Sequence, residues 1–331
     1  MPTESTIIFV LAVISIFVLT VVAERILIPI LKSRKMGQRI LEIGPRWHKS
    51  KEGTPAMGGI GFILASLIVM AGFFIYRATK GTAVDLIPLA LTLAFAVANG
   101  AIGFVDDYCK LMKKQNEGLL AWQKYLLQLV AAGLFLLLEN LFGLAETSLV
   151  IPYFGITLEL GIGYYIVALL VITGIVNSVN LTDGIDGLAS SVTLAVGLFF
   201  AVAAHLAADR GLFLVSACIV GGTLGFLMYN FHPARVFMGD TGSLFLGGIV
   251  VGAAFQLNNP LILLVVGFIY LCEAASVILQ VGYFKLTHGK RLFKMAPIHH
   301  HFEKCGWGEI QIVFVFTGIT LLFAALALCG I

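Results

Sequence analysis

Ten predominantly apolar stretches recur along the chain, and they leave few ways for it to fold. They lie near 6–23, 56–76, 86–105, 124–142, 160–176, 187–207, 212–229, 242–257, 260–283 and 310–330. A helix of about 20 apolar residues crosses the hydrocarbon of a bilayer, where an open backbone would leave its polar groups unpaired. With 59% of 331 residues hydrophobic and 12% charged, little chain remains for a water-soluble domain. Soluble proteins run at about 45–50% apolar and 25% charged, so an ordinary soluble enzyme and a disordered protein are both excluded. The expectation is an all-α polytopic membrane protein of about ten transmembrane helices, one integral membrane domain over 1–331. The fourth stretch opens on Lys124 and the eighth is short, so these two carry the weakest signals. Segment 148–158 alternates around Pro152 and Gly155 and reads as a small hairpin or a re-entrant piece.

Basic residues set the orientation. Loops after odd-numbered helices hold 18 of the 21 Lys and Arg; only Arg77, Lys80 and Arg210 fall on the other side. Cytoplasmic loops are enriched in basic residues, so both termini are expected to be extracytoplasmic and the odd loops cytoplasmic. The run from Thr6 to Ala23 has no basic residue before it and no small-residue cleavage site, and reads as a retained helix. The five cysteines form no C-x-x-C pair and read as free thiols.

Three carboxylate clusters fall on that cytoplasmic side. Asp106 and Asp107 end the third helix in GFVDDYCK, Asp183 and Asp186 lie in NSVNLTDGIDGLA, and Asp240 sits in FMGDTGSL before the eighth helix. A single carboxylate at a helix end often only caps it. Three on one face, in short glycine-rich loops, point to parts of one site. If helical, Asp183 and Asp186 would face the same way. Oxygen donors without cysteine suit a hard cation such as Mg²⁺, which binds through one or two carboxylates together with substrate phosphates. The residues thus suggest metal-assisted phosphate chemistry at the membrane surface.

Other polar residues gather on the same side. The last loop carries His299, His300 and His301 among five basic residues. On a helix their side chains point about 100° apart, so they cannot share one ion. Lys51, in a first loop that also holds Trp47, His48 and Lys49, reads either as the holder of an anionic group or as a contact to the anionic leaflet. Trp47, Trp122 and Trp307 read as interfacial anchors. Glu273 lies well inside the ninth helix and should face the bundle interior. Asn230 and His232 are near the FMGD run without a signal of their own.

GFVDDYCK, NSVNLTDGIDGLA, FMGDTGSLFLGG and MAPIHHHFE together resemble the polyprenyl-phosphate N-acetylhexosamine-1-phosphate transferases. The APIHHHFE run and the GTP-x-MGG entry to the second helix favour the muramoyl-pentapeptide branch. Ala56, Ser178 and Ile185 depart from that pattern without breaking it. The resemblance implies transfer of phospho-MurNAc-pentapeptide from UDP-MurNAc-pentapeptide to undecaprenyl phosphate, giving lipid I and UMP, with Mg²⁺ as cofactor, in a bacterial inner membrane with the active site facing the cytoplasm. It implies that Asp240 and Asn180 hold the metal and that Asp183 lies close to metal and diphosphate. Asp106 and Asp107 would deprotonate the lipid phosphate or support the metal. Gly184, Ile185 and Asp186 would line the uridine pocket, Phe237 and Asn230 would meet the uracil, and Lys51 would sit at the nucleotide. His299, His300 and His301 would act on sugar or phosphate groups. The partners are those two substrates and the bilayer, with no nucleic acid, and a homodimer is allowed. A sister enzyme using UDP-GlcNAc, an ion-coupled transporter and a scaffold without chemistry are the rival readings.

Overall fold

A computed structural model describes residues 2–34, 51–81, 86–113 and 118–331. Trp47, His48 and Lys49 lie outside the described residues. Long helices follow the apolar stretches: α1 (Pro2–Ser33), α2 (Gly59–Thr79), α3 (Ile87–Lys113), α4 (Ala121–Leu141), α5 (Gly163–Thr182), α6 (Leu188–Ala207), α7 (Arg210–Asn230) and α8 (Gly239–Gln256). After them come a single turn α9 (Leu263–Val266), α10 (Phe268–Leu286), the short α11 (Ile298–Lys304) and α12 (Glu309–Leu328). Segment 148–158 is a hairpin, with β1 (Ser148–Ile151) antiparallel to β2 (Ile156–Glu159) and Leu149 opposite Leu158. Among the described residues nine helices are long and apolar enough to cross a membrane, so the chain is a multi-pass membrane protein.

Three expectations need correction. First, α1 runs to Ser33 because ILIPIL continues the apolar pattern beyond Arg25. Glu24 is therefore not in a loop: it is a fully buried side chain packed against Gly61 of α2. Second, α3 runs on through YCKLMK to Lys113, so Asp106 and Asp107 sit inside its last turns rather than at its end. Third, the ninth stretch is not one helix. Pro260–Ile262 forms a 3-10 turn, and Gly267, a poor helix former, separates α9 from α10.

The eighth expected span, α8, is a helix but is not among those nine. It starts with GDTGS, and every residue from Thr241 to Phe255 is buried. Its neighbours are protein on all sides: α3 above all, then α5, α2, α7 and α6. Lipid tails are as apolar as leucine, so helices in a bilayer associate by close packing, which small side chains permit. Gly242 of α8 meets Gly59 of α2, Gly247 meets Val176 of α5, and Gly248 meets Ala96 of α3. Gly103 of α3 leaves room for the backbone carbonyl of Asp240 itself, where a Cβ would collide. The segment before α2 is also sewn to the one before α8: Phe237 N donates to Pro55 O at 2.8 Å, and Gly58 N donates to Phe237 O at 2.9 Å. These contacts gather the starts of α2 and α8, the last turns of α3 and the end of α5 at one end of the bundle. The hairpin lies at the other end, where Gly330 touches Tyr153 and Gln256 of α8 bonds Asp209 at the start of α7.

Gly103→Ala should therefore destabilise by about 1–3 kcal/mol, the usual cost of overpacking. Gly174→Ala, with nothing within 4 Å of its added Cβ, should not. Thermal unfolding of the two variants in the same detergent checks this.

Candidate active site

Asp107 connects two helices. Its Oδ2 accepts from Thr241 N at 2.9 Å and Thr241 Oγ1 at 2.7 Å, and its Oδ1 accepts from Asp240 N at 3.1 Å. A carboxylate of α3 thereby caps the N-terminus of α8, where free N–H groups and the helix dipole favour negative charge. Asp240, in the first turn of α8, is held by the same contact. Asn180 near the end of α5 fixes it from the other side, its Nδ2 donating to Asp240 Oδ1 and to Ser243 Oγ, both at 2.8 Å.

One oxygen from each of Asp106, Asp107 and Asp240 lies within 4.8 Å of the others. Such a group needs positive charge close by, and two lysines provide it. Lys110 Nζ is 2.6 Å from Asp106 Oδ2 and 2.8 Å from Asp240 Oδ2; Lys124 Nζ is 2.9 Å from the same Asp240 oxygen. Asp106 also accepts from Leu119 N at 2.8 Å, which ties the start of α4 to the cluster. The donors are all hard oxygens, with the Asn180 amide oxygen beside them, and this set fits a Mg²⁺ ion.

Asp183 and Asp186 do not lie on a helix. α5 ends at Thr182 and α6 starts at Leu188, so the intervening turn sends the two carboxylates in different directions. Asp183 faces the first cluster: burial, and then the charges of Asp240, Asp107 and Asp186, push its carboxyl up to about 8. Asp186 is buried and belongs to a second group. Lys51 Nζ donates to its Oδ1 at 2.7 Å, Ala234 N to its Oδ2 at 3.0 Å, and His232 Nδ1 lies 3.0 Å from Oδ2. Glu309, in the first turn of α12, completes this group; its Oε2 accepts from Lys51 Nζ at 2.5 Å and from Asp186 N at 3.1 Å. Ile185 is buried within the turn. Asn230 holds the turn's far side, accepting from Gly187 N at 3.1 Å while donating to Val236 O at 2.9 Å. Both ends of the Asn230 amide are thus used within the protein. Phe237 remains partly exposed beside the start of α8.

The three histidines diverge on α11, as consecutive helical residues must. His299 is fully buried, with Nδ1 2.9 Å from Glu273 Oε2. His300 Nδ1 lies 2.6 Å from Glu303 Oε2, and His301 Nδ1 accepts from Lys294 N at 3.1 Å. Glu273 does face the interior as its sequence position requires, but it is paired with His299, and Glu24 and Glu139 are also buried carboxyls.

The arrangement puts anionic, cationic and amide groups at one end of the bundle, suited to gripping a diphosphate and screening charge as a P–O bond shifts. Lys110 was legible in principle, since it stands three and four residues after the aspartate pair on one helix face. Lys124 was legible only as a basic residue opening a helix. Glu309 and the Glu273–His299 pair had no local signal.

Residues 86–258 match the model of the family described as Glycosyl transferase family 4. The chain is 43% identical over 316 residues to the phospho-N-acetylmuramoyl-pentapeptide-transferase of Clostridioides difficile (strain 630), covering 95% of each chain. It is 44% identical over 313 residues to the protein of that name from Listeria monocytogenes serotype 4b (strain CLIP80459), again covering 95% of each. For that of Clostridium perfringens (strain SM101 / Type A) the figure is 44% over 322 residues, 97% of this chain and 96% of the relative.

If Asp107 works as the cap of α8, Asp107→Ala should lower the unfolding free energy by about 1–2 kcal/mol, the loss typical of a helix cap. Denaturant or thermal unfolding of the solubilised protein reads this.

Proposed function

The chain belongs to the Glycosyl transferase family 4 and, within it, to the phospho-N-acetylmuramoyl-pentapeptide-transferases, and on that premise we propose how its residues divide the reaction. It is a phosphoglycosyl transferase of the membrane that forms lipid I in peptidoglycan synthesis. Its substrates are UDP-MurNAc-pentapeptide and undecaprenyl phosphate. A phosphate oxygen of the lipid attacks the β-phosphorus of the nucleotide diphosphate. A new P–O bond forms there, the bond to the bridging oxygen breaks, and UMP leaves with the electron pair.

The observation that carries this reading is the convergence of Asp106, Asp107, Asp240, Asn180, Lys110 and Lys124 at one end of the bundle. Mg²⁺ would be held by Asp240 and Asn180 with Asp106 beside them, and when bound it supplies Lewis-acid neutralisation of the diphosphate. Lys110 and Lys124 screen charge that gathers on the departing UMP. A phosphate monoester with a second pKa near ~6 is already largely ionised at neutral pH. Asp106 and Asp107 therefore position and hold charge rather than remove a proton, Asp107 through its cap on α8. The attack is direct, with no phospho-aspartate. Lys51, Asp186, Gly184, Ile185, Asn230 and Phe237 form the nucleotide side, around the 183–187 turn. His300 and His301 lie further out on α11, toward the sugar and peptide. The reacting end faces the cytoplasm and both termini face outward, which the basic-residue asymmetry supports.

Purified protein should release UMP from UDP-MurNAc-pentapeptide only when undecaprenyl phosphate and Mg²⁺ are both present, and should not do so with UDP-GlcNAc. Asp240→Asn should lower the rate about a hundredfold or more, as losing one charge-stabilising group does elsewhere. In variants keeping one native cysteine, an impermeant thiol reagent should label exposed Cys329 in intact cells and exposed Cys305 only after lysis. The reverse pattern would invert the orientation.

A further inference from the structure

Glu273 of α10 and His299 of α11 form a pair that the division of labour above leaves unused. Both side chains are fully buried, and they meet at 2.9 Å through Glu273 Oε2 and His299 Nδ1. The outward atoms of the pair, His299 Nε2 and Glu273 Oε1, are buried without a hydrogen-bond partner. Burying a polar atom unpaired costs about 1–3 kcal/mol, so an orphan retained in a folded chain calls for a role. The ring edge bearing Nε2 packs on Gly184, where any Cβ would collide with it. Gly184 separates Asp183, which faces the carboxylate cluster, from Asp186, which holds Lys51. The pair therefore abuts the turn that joins the two halves of the site.

We propose that Glu273 is a positioning residue that fixes the tautomer of His299: it accepts the Nδ1 proton and leaves the Nε2 lone pair directed at the Asp183–Gly184 turn. A carboxylate behind an imidazole sets which nitrogen carries the proton and how the ring is oriented. Nε2 is packed on Gly184 and closed to solvent, so the pair acts on the nucleotide through the turn it supports: a bare nitrogen there lets Gly184 lie close, and a proton on it would push the Asp183–Asp186 segment away. This inference rests on the transferase reading for its kinetic readout, but not for its tautomer.

The experiment has two arms. In wild-type protein with ¹⁵N-labelled histidine, in detergent micelles, His299 is assigned by its loss in His299→Gln or by elimination with the other histidine variants. Its Nδ1 should be protonated and its Nε2 bare. Protonation of Nε2, alone or with Nδ1, would overturn the proposal. In the second arm, Glu273→Gln keeps the shape but removes the charge; its amide can offer Nδ1 either an oxygen or an N–H, so the carboxylate's hold on the tautomer is lost, as the same spectrum of the variant reads. The variant should keep the wild-type unfolding temperature and the KM for undecaprenyl phosphate. Its kcat/KM for UDP-MurNAc-pentapeptide should fall about 10- to 100-fold, as when the carboxylate behind a working histidine is removed. Unchanged kcat/KM would mean that the pair only packs α10 against α11. If Glu273→Gln fails to fold, the wild-type spectrum decides alone. If the wild type releases no UMP, the transferase reading fails while the spectrum still decides the tautomer.

Discussion

The carboxylate of Asp107 on the first turn of α8 is the contact on which the rest of the site depends. It fixes where α8 begins, and so where Asp240 stands relative to Asp106 on the same face of α3. Once that start is set, Asn180 can reach Asp240 from α5, and Lys110 and Lys124 can approach from α3 and α4. Four helices thus agree on one point because one helix end is pinned. The pin works at close range only because Gly103 and Gly242 let the backbones of α3, α8 and α2 come together.

Much of the framework was legible in the sequence because bilayer thickness imposes a length on apolar runs. The hairpin at Ser148–Ile151 and Ile156–Glu159 was legible from its alternation and its turn residues. The errors have separate physical causes. The end of α1 was placed too early because Glu24 and Arg25 look like a boundary, yet Glu24 is tucked against Gly61 and the helix goes on. The break at Gly267 falls within an unbroken apolar run that hydropathy cannot divide. α8 gave a weak signal because its environment is protein, so its glycines report neighbours rather than lipid.

The site followed the same division. That three aspartate motifs belong together could be inferred from their sidedness, but their pairing could not. Asp183 and Asp186 look like one cluster in sequence, yet the turn between α5 and α6 assigns them to different neighbours, the first to Asp240 and the second to Lys51 and Glu309. Lys51 and Glu309 are 258 residues apart, a distance no local pattern bridges. Glu273 and His299 are only 26 residues apart, but the rest of α10 and the loop over 287–297 intervene.

The enclosure of α8 also bears on how the protein is made. The helices that surround it, α2, α3, α5, α6 and α7, all precede it in the chain. During synthesis its walls emerge first, so a segment that opens with Asp240 and carries many glycines need not settle in lipid by itself. It can enter a slot already lined with side chains, where its polar first turn meets Asp107 and Asn180. The order of the helices along the chain thus places the least lipid-compatible helix after the helices that shelter it.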